Sequence, residues 1–136
     1  MLVYAFREDS PEHVSYRDWL NEVVRADAPY AVADLVLSGF LRVVTHPRVF
    51  SPPTPMRVAV DFVDALRELP NCVVLAPGPR YWAIFTGLSL QAGARGNLVP
   101  DAYLAALAIE SGSEWITTDR DYTRFPGLRW RHPLET

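Results

Sequence analysis

Short apolar runs alternate with amphipathic stretches along this chain, and prolines and glycines mark most of the changes. Strand-length runs separated by helix-length ones need crossover connections. Right-handed crossovers build a mostly parallel sheet covered by helices on both faces. Met1–Phe6 is almost wholly apolar and predicts a buried first strand. Ser10-Pro11 is a cap-plus-proline start signal, and Val14, Trp19, Leu20, Val23 and Val24 predict a helix over 11–26. Tyr30–Val32 predicts a second strand. Asp34 then opens a helix with Leu35, Leu37, Phe40, Leu41 and Val44 as its apolar members, ending before Pro47.

The proline-rich segment Val49–Pro55 is a loop, and Thr54-Pro55 repeats the start signal ahead of a helix over Met56–Leu69. Cys72–Leu75 predicts a strand, Arg80–Ala92 and Asn97–Ser111 two helices, and Trp115–Thr117 and Leu128–Trp130 the last strands. Gly112 marks the end of the second of those helices. The four tryptophans all fall in strands or amphipathic helices, which places them in the core.

Composition narrows the function. The 136 residues make one domain, and 49% hydrophobic with 21% charged residues fits a globular chain. No apolar run is long enough to span a membrane, and the N-terminus lacks the basic flank of a signal peptide. A single cysteine, Cys72, excludes an internal disulfide and fits a reducing cytoplasm. Without a Cys or His cluster there is no structural zinc site. The net charge of −3 excludes a generic basic coat for nucleic acid, so any such role is local and enzymatic. All 13 basic residues are arginine. Coding bias accounts for that, although arginine's planar fork also suits phosphate.

In folds of this kind the chemistry sits beyond the carboxyl ends of the strands. Three carboxylates fall there. Asp119 and Asp121 follow the strand at Trp115, and Asp101 opens a helix. Gathered carboxylates repel one another unless a cation neutralises them, and hard oxygen ligands suit Mg²⁺ or Mn²⁺. A helix-capping Asp101 and turn-forming Asp119 and Asp121 account for the same residues without a metal.

Four ordered segments carry a resemblance. They are Leu2-Val-Tyr-Ala-Phe-Arg7, Ser38-Gly-Phe-Leu-Arg-Val-Val-Thr-His-Pro-Arg-Val-Phe50, Gly96-Asn-Leu-Val-Pro-Asp-Ala-Tyr-Leu-Ala-Ala-Leu-Ala108 and Thr117-Thr-Asp-Arg-Asp-Tyr-Thr-Arg-Phe-Pro-Gly-Leu-Arg-Trp130. Over essentially its whole length the chain resembles the PIN-domain ribonucleases, and among them the VapC-like toxins of type II toxin–antitoxin pairs. The resemblance implies one α/β domain over 1–136, a three-layer α/β/α arrangement around a mostly parallel sheet of about five strands. It implies an endoribonuclease that uses Mg²⁺ or Mn²⁺ to cut single-stranded loops of structured RNA such as tRNA or rRNA, leaving a 3′ hydroxyl and a 5′ phosphate. Asp101 and Asp119 match the family's metal-ligating carboxylates, and Asp121 is a further catalytic acid. The implied partners are a VapB-like antitoxin with a DNA-binding N-terminal part and a second copy of the chain.

Two departures from the pattern stand out. The family aspartate of the opening segment falls three residues before Met1, with Glu8 and Asp9 the nearest acids, so an upstream start is expected. Glycine also occupies position 39, where many relatives carry glutamate. Asp34 is a possible additional acid, with an N-cap role as its alternative. Arg42, Arg48 and Arg57 with His46 form an acid-free segment suited to an RNA backbone, and Arg120 and Arg124 flank the acidic motif. The departures keep a second reading open, that of a silent PIN domain binding antitoxin or RNA. A phosphatase on a similar sheet would need a nucleophilic aspartate motif that is absent.

Overall fold

The computed structural model describes residues 1–135. In chain order its elements are α1 (Leu2–Phe6), α2 (His13–Arg25), β1 (Tyr30–Ala33), α3 (Asp34–Val44), α4 (Met56–Glu68), β2 (Cys72–Leu75), α5 (Tyr81–Gln91), α6 (Leu98–Ser111), β3 (Trp115–Ile116), a 3₁₀ turn (Arg120–Arg124) and β4 (Trp130–Arg131). They fall into two compact units, residues 1–74 and Leu75 onward. The class is α/β, as expected. The strand count differs: instead of about five strands in one sheet, the described residues hold two pairs, β1–β2 and β3–β4. β3 and β4 run parallel, with Trp115 opposite Trp130 and Ile116 opposite Arg131.

The first unit is built on α3 and α4. Leu37, Phe40 and Val44 recur at three- and four-residue spacing on α3 and meet Ala59 and Val63 of α4, all buried. Leu2, Val3 and Phe6 pack against this cluster. The rings of Phe6, Phe40 and Phe62 lie 4.8–5.4 Å apart pairwise. Each such pair adds about 0.5–1.5 kcal/mol beyond its buried area.

Leu2–Phe6 is a helix, which corrects the expected opening strand. A five-residue apolar run carries no period long enough to separate the two states. Packing decides it: Leu2, Val3 and Phe6 share the face towards the phenylalanine cluster, while Tyr4 meets the Tyr16 ring of α2 at 5.1 Å. So short a helix is held by these contacts and not by its own propensity.

The start signals are also used differently from expectation. α2 begins at His13, after Glu12 in a left-handed conformation, and Ser10-Pro11 stays outside it. Asp34 does not cap α3. It is the first residue of that helix, and its Oδ1 accepts from Arg67 Nε of α4 at 3.1 Å. Thr54 does not cap α4, because Pro55 holds that position. Thr54 is buried, and its Oγ1 accepts from Arg7 at 3.2 Å. Arg7 also donates to the Pro52 carbonyl at 3.2 Å, forks onto both Asp9 oxygens at 2.9 and 2.6 Å, and lies 4.1 Å over the Phe50 ring.

In the second unit α5 packs on α6. Tyr81 and Phe85 of α5 meet Tyr103 of α6 at 5.0 and 6.0 Å, and Ala102, Ala105, Ala106 and Ala108 are buried along α6. Gly112 ends α6 in a left-handed conformation that favours glycine (φ 71°). The tryptophans correct the expectation of four core positions: Trp82 is 68% exposed on α5, and Trp19, Trp115 and Trp130 are only half-buried. The start of α5 has no capping side chain of its own. Glu110 of α6 supplies one, accepting from the amides of Gly78 at 2.7 Å and Arg80 at 2.9 Å.

Candidate active site

The second unit places the acids of the two C-terminal motifs around one tyrosine. Asp101 lies in the first turn of α6, directly after Pro100, whose missing N–H costs nothing in a first turn. Asn97 is the residue at the cap position, so Asp101 is not the helix cap. Its Oδ1 instead accepts a hydrogen bond from the Tyr122 hydroxyl at 3.2 Å.

Tyr122 arrives there because the chain turns sharply after β3. Asp119 starts the 3₁₀ turn: its Oδ1 accepts from the Asp121 amide at 2.9 Å, and its own amide donates to Thr117 Oγ1 at 3.1 Å. The turn-forming alternative is therefore realised at Asp119, through one of its two oxygens. The same turn buries Tyr122 to 4% exposure, with its ring 5.4 Å from Trp115 and 5.8 Å from Phe125.

Electrostatics joins the three acids. Burial pushes the Asp101 carboxyl above the usual carboxylate range, the Tyr122 hydroxyl opposes this, and the charges of Asp119 and Asp121 push it further up. Burial also drives the Tyr122 phenol upward, and the Asp101 charge adds to the effect. The phenol therefore keeps its proton and acts as a donor throughout the physiological range.

The other predicted residues are placed less centrally. Asp34 is exposed in the first unit and engaged by Arg67. Arg42 and Arg48 are exposed, and their guanidinium groups have no ion pair or hydrogen bond among the described residues. Arg57 pairs with Asp61 at 3.0 Å, and His46 Nδ1 accepts from the Arg48 amide. Arg120 is exposed beside Asp119, its guanidinium likewise without a partner among the described residues.

Sequence reasoning did not single out Tyr122, the residue that meets Asp101. It stands inside the quoted motif, but nothing in its spacing links it to an acid twenty-one positions earlier.

The donor chemistry fits a hard divalent cation. Asp101 and Asp119 offer carboxylate oxygens, and a cation would offset the burial that chiefly raises Asp101 together with the smaller repulsion from Asp119 and Asp121. The set is small. Among the described residues, no three acidic, histidine or cysteine side chains gather closely enough to hold an ion between them. A metal held here would keep several waters, as Mg²⁺ commonly does.

The PIN domain family model matches residues 1–128. The chain belongs to the PIN domain family. VapC ribonuclease Mb2897 of Mycobacterium bovis is 46% identical over 135 residues, covering 99% of this chain and 92% of that protein. Ribonuclease VapC25 of Mycobacterium tuberculosis is 38% identical over 133 residues, covering 98% and 94%. Two solved structures share the fold. VapBC2 from Rickettsia felis, bound to a DNA fragment from its promoter, has a TM-score of 0.67 at 19% identity, covering 96% of this chain and 91% of that one. VapBC-1 from nontypeable Haemophilus influenzae has a TM-score of 0.66 at 13% identity, covering 98% and 93%. Among the described residues no helix is long and apolar enough to cross a membrane.

Proposed function

We propose that this chain is the ribonuclease toxin of a VapBC-type toxin–antitoxin pair and hydrolyses RNA at the acids around Tyr122. The observation that carries this reading is the Tyr122–Asp101 hydrogen bond, which ties the turn bearing Asp119 and Asp121 to the helix bearing Asp101. The charges of Asp119 and Asp121 act on Asp101, in a chain 46% identical to a VapC ribonuclease over nearly its full length. Asp101 and Asp119 would hold Mg²⁺ or Mn²⁺, with Asp121 as the adjacent acid. The chemistry such an ion would supply there is a lowered pKa for water and stabilisation of charge at the phosphate.

The chain's own residues supply the rest. Asp101 and Asp119 present anionic oxygens, and Tyr122 holds Asp101 from its buried side. The free guanidinium of Arg120 offers a phosphate contact beside Asp119, and Arg42 and Arg48 offer further backbone contacts that position RNA without reading its sequence. In this reading Asp34 is structural, tying α3 to α4 through Arg67. The substrate is structured RNA cut at single-stranded loops. The partners are a VapB-like antitoxin and a second copy of the chain, and the compartment is the cytoplasm.

The test is cleavage of total RNA with Mn²⁺, comparing the chain with Asp101→Ala and Asp119→Ala. Cleavage products ending in a 3′ hydroxyl, lost in both variants and suppressed by the antitoxin, are the expected result. Absence of cleavage by the unmodified chain, or full cleavage by Asp101→Ala, would overturn the reading in favour of a silent antitoxin- or RNA-binding module.

A further inference from the structure

We propose that Tyr122 is a positioning residue for Asp101: its buried hydroxyl fixes the carboxylate through Oδ1 and leaves Oδ2 for the divalent cation. The inference rests on the proposed function and adds to it a residue that touches neither metal nor RNA. Packing alone does not call for the hydroxyl. The Tyr122 ring is held by Trp115 on one side and Phe125 on the other, and a phenylalanine would make the same ring contacts. The Tyr122 phenol is buried, and Asp101 is the hydrogen-bond partner it has. Because the rings of Trp115 and Phe125 restrict the tyrosine, its oxygen is a fixed point against which the aspartate is set.

The choice of donor matters as much as its place. An arginine at this position would neutralise the carboxylate and compete with a cation. The Arg7–Asp9 pair elsewhere in the chain shows that arrangement, with both carboxylate oxygens taken by one guanidinium. A phenol orients the carboxylate while leaving its negative charge in place. Asp101 Oδ2 has no hydrogen-bond partner among the described residues. Partners that orient metal ligands from behind typically change metal affinity by roughly ten- to hundredfold when removed. The 3.2 Å separation is longer than the optimum of about 2.7–2.8 Å for O–H···O, which puts the expected effect near tenfold.

The experiment measures Mn²⁺ binding from the resonance of the free aquo ion, in the unmodified chain and in Tyr122→Phe, with near-ultraviolet circular dichroism as the check on folding. Tyr122→Phe is expected to bind Mn²⁺ about tenfold more weakly. Its RNA cleavage should fall at low Mn²⁺ and recover at saturating Mn²⁺, a pattern that general loosening of the fold would not give. Equal Mn²⁺ affinity in the two chains would overturn the inference while leaving the proposed function standing. An unmodified chain that neither binds Mn²⁺ nor cuts RNA would overturn the proposed function itself. Should Tyr122→Phe fail to fold, 3-fluorotyrosine placed at 122 alone keeps the hydroxyl and reports on it: Mg²⁺ must shift its fluorine resonance, and no shift overturns the inference.

Discussion

Replacing Glu110 by alanine strips helix α5 of its cap while touching no residue of the acid cluster. α5 begins at Tyr81 with no capping side chain of its own, and Glu110 Oε1 and Oε2 take the amides of Gly78 and Arg80. A lost N-cap costs about 1 kcal/mol, and the lost negative charge at a helix N-terminus about 0.3–1 kcal/mol more. The contact from the Arg80 side chain to the Glu110 carbonyl, at 3.2 Å, survives the substitution. The expected loss is therefore about 1–2 kcal/mol, or a fall of roughly 3–10 °C in melting temperature for a chain of this length. Gly78→Ala should reproduce much of it, because a Cβ there would stand 2.7 Å from Glu110 Oε2 and push the carboxylate away. The double variant should then lose less than the sum of the two single losses. Thermal unfolding followed by circular dichroism measures all three. A Glu110→Ala melting temperature within about 1 °C of the unmodified chain, or strictly additive losses, would refute the reasoning.

Two further outcomes follow from the same structure. Asp101→Asn is expected to stabilise the metal-free chain at neutral pH by a few tenths of a kcal/mol, a modest figure because the carboxyl is partly exposed. The raised carboxyl favours the fold while protonated, and that contribution is lost as pH rises through its folded-state value, so the ionised group weighs against folding at pH 7. Melting curves of both chains across acid and neutral pH should converge below the carboxylate range, and a lower melting temperature for Asp101→Asn at pH 7 would contradict the sign. Gly87→Ala, inside α5 where an added Cβ meets nothing within 4 Å, should raise stability by up to about 1 kcal/mol, and chemical denaturation reads it directly.

Much of this fold was legible from hydrophobic spacing. The helices from α2 to α6 lie within two residues of their expected bounds at either end, α3 ending at Val44 ahead of Pro47, and β2 coincides with Cys72–Leu75. Those segments are long or sharply bounded, so periodicity and proline speak with one voice. Leu2–Phe6 is neither, and its state is set by partners on α2 and α3 that spacing cannot reveal. Cap signals misled for a related reason: Asp34 and Thr54 have the right chemistry for caps, but Arg67 and Arg7 claim their oxygens from distant points in the chain. Asp101, Asp119 and Asp121 stood out as candidates because acids following strands and opening helices occupy known places in an α/β fold. Tyr122 and Glu110 were not, since each acts across a tertiary contact of twenty-one or more residues.

Arg7 separates two causes of the chain's lysine-free composition. At Arg57, an exposed side chain paired with Asp61 one helical turn away, a lysine would serve nearly as well. At Arg7 one planar group reaches a carboxylate with two nitrogens, a carbonyl and a buried hydroxyl with a third, and stacks over Phe50. A single ammonium has neither the flat face nor the fan of donors for that work. Whatever mutational drift removed lysine elsewhere, position 7 has its own reason to remain arginine. It fastens the end of α1 to the proline loop ahead of α4, so two segments forty-five residues apart are held by one side chain.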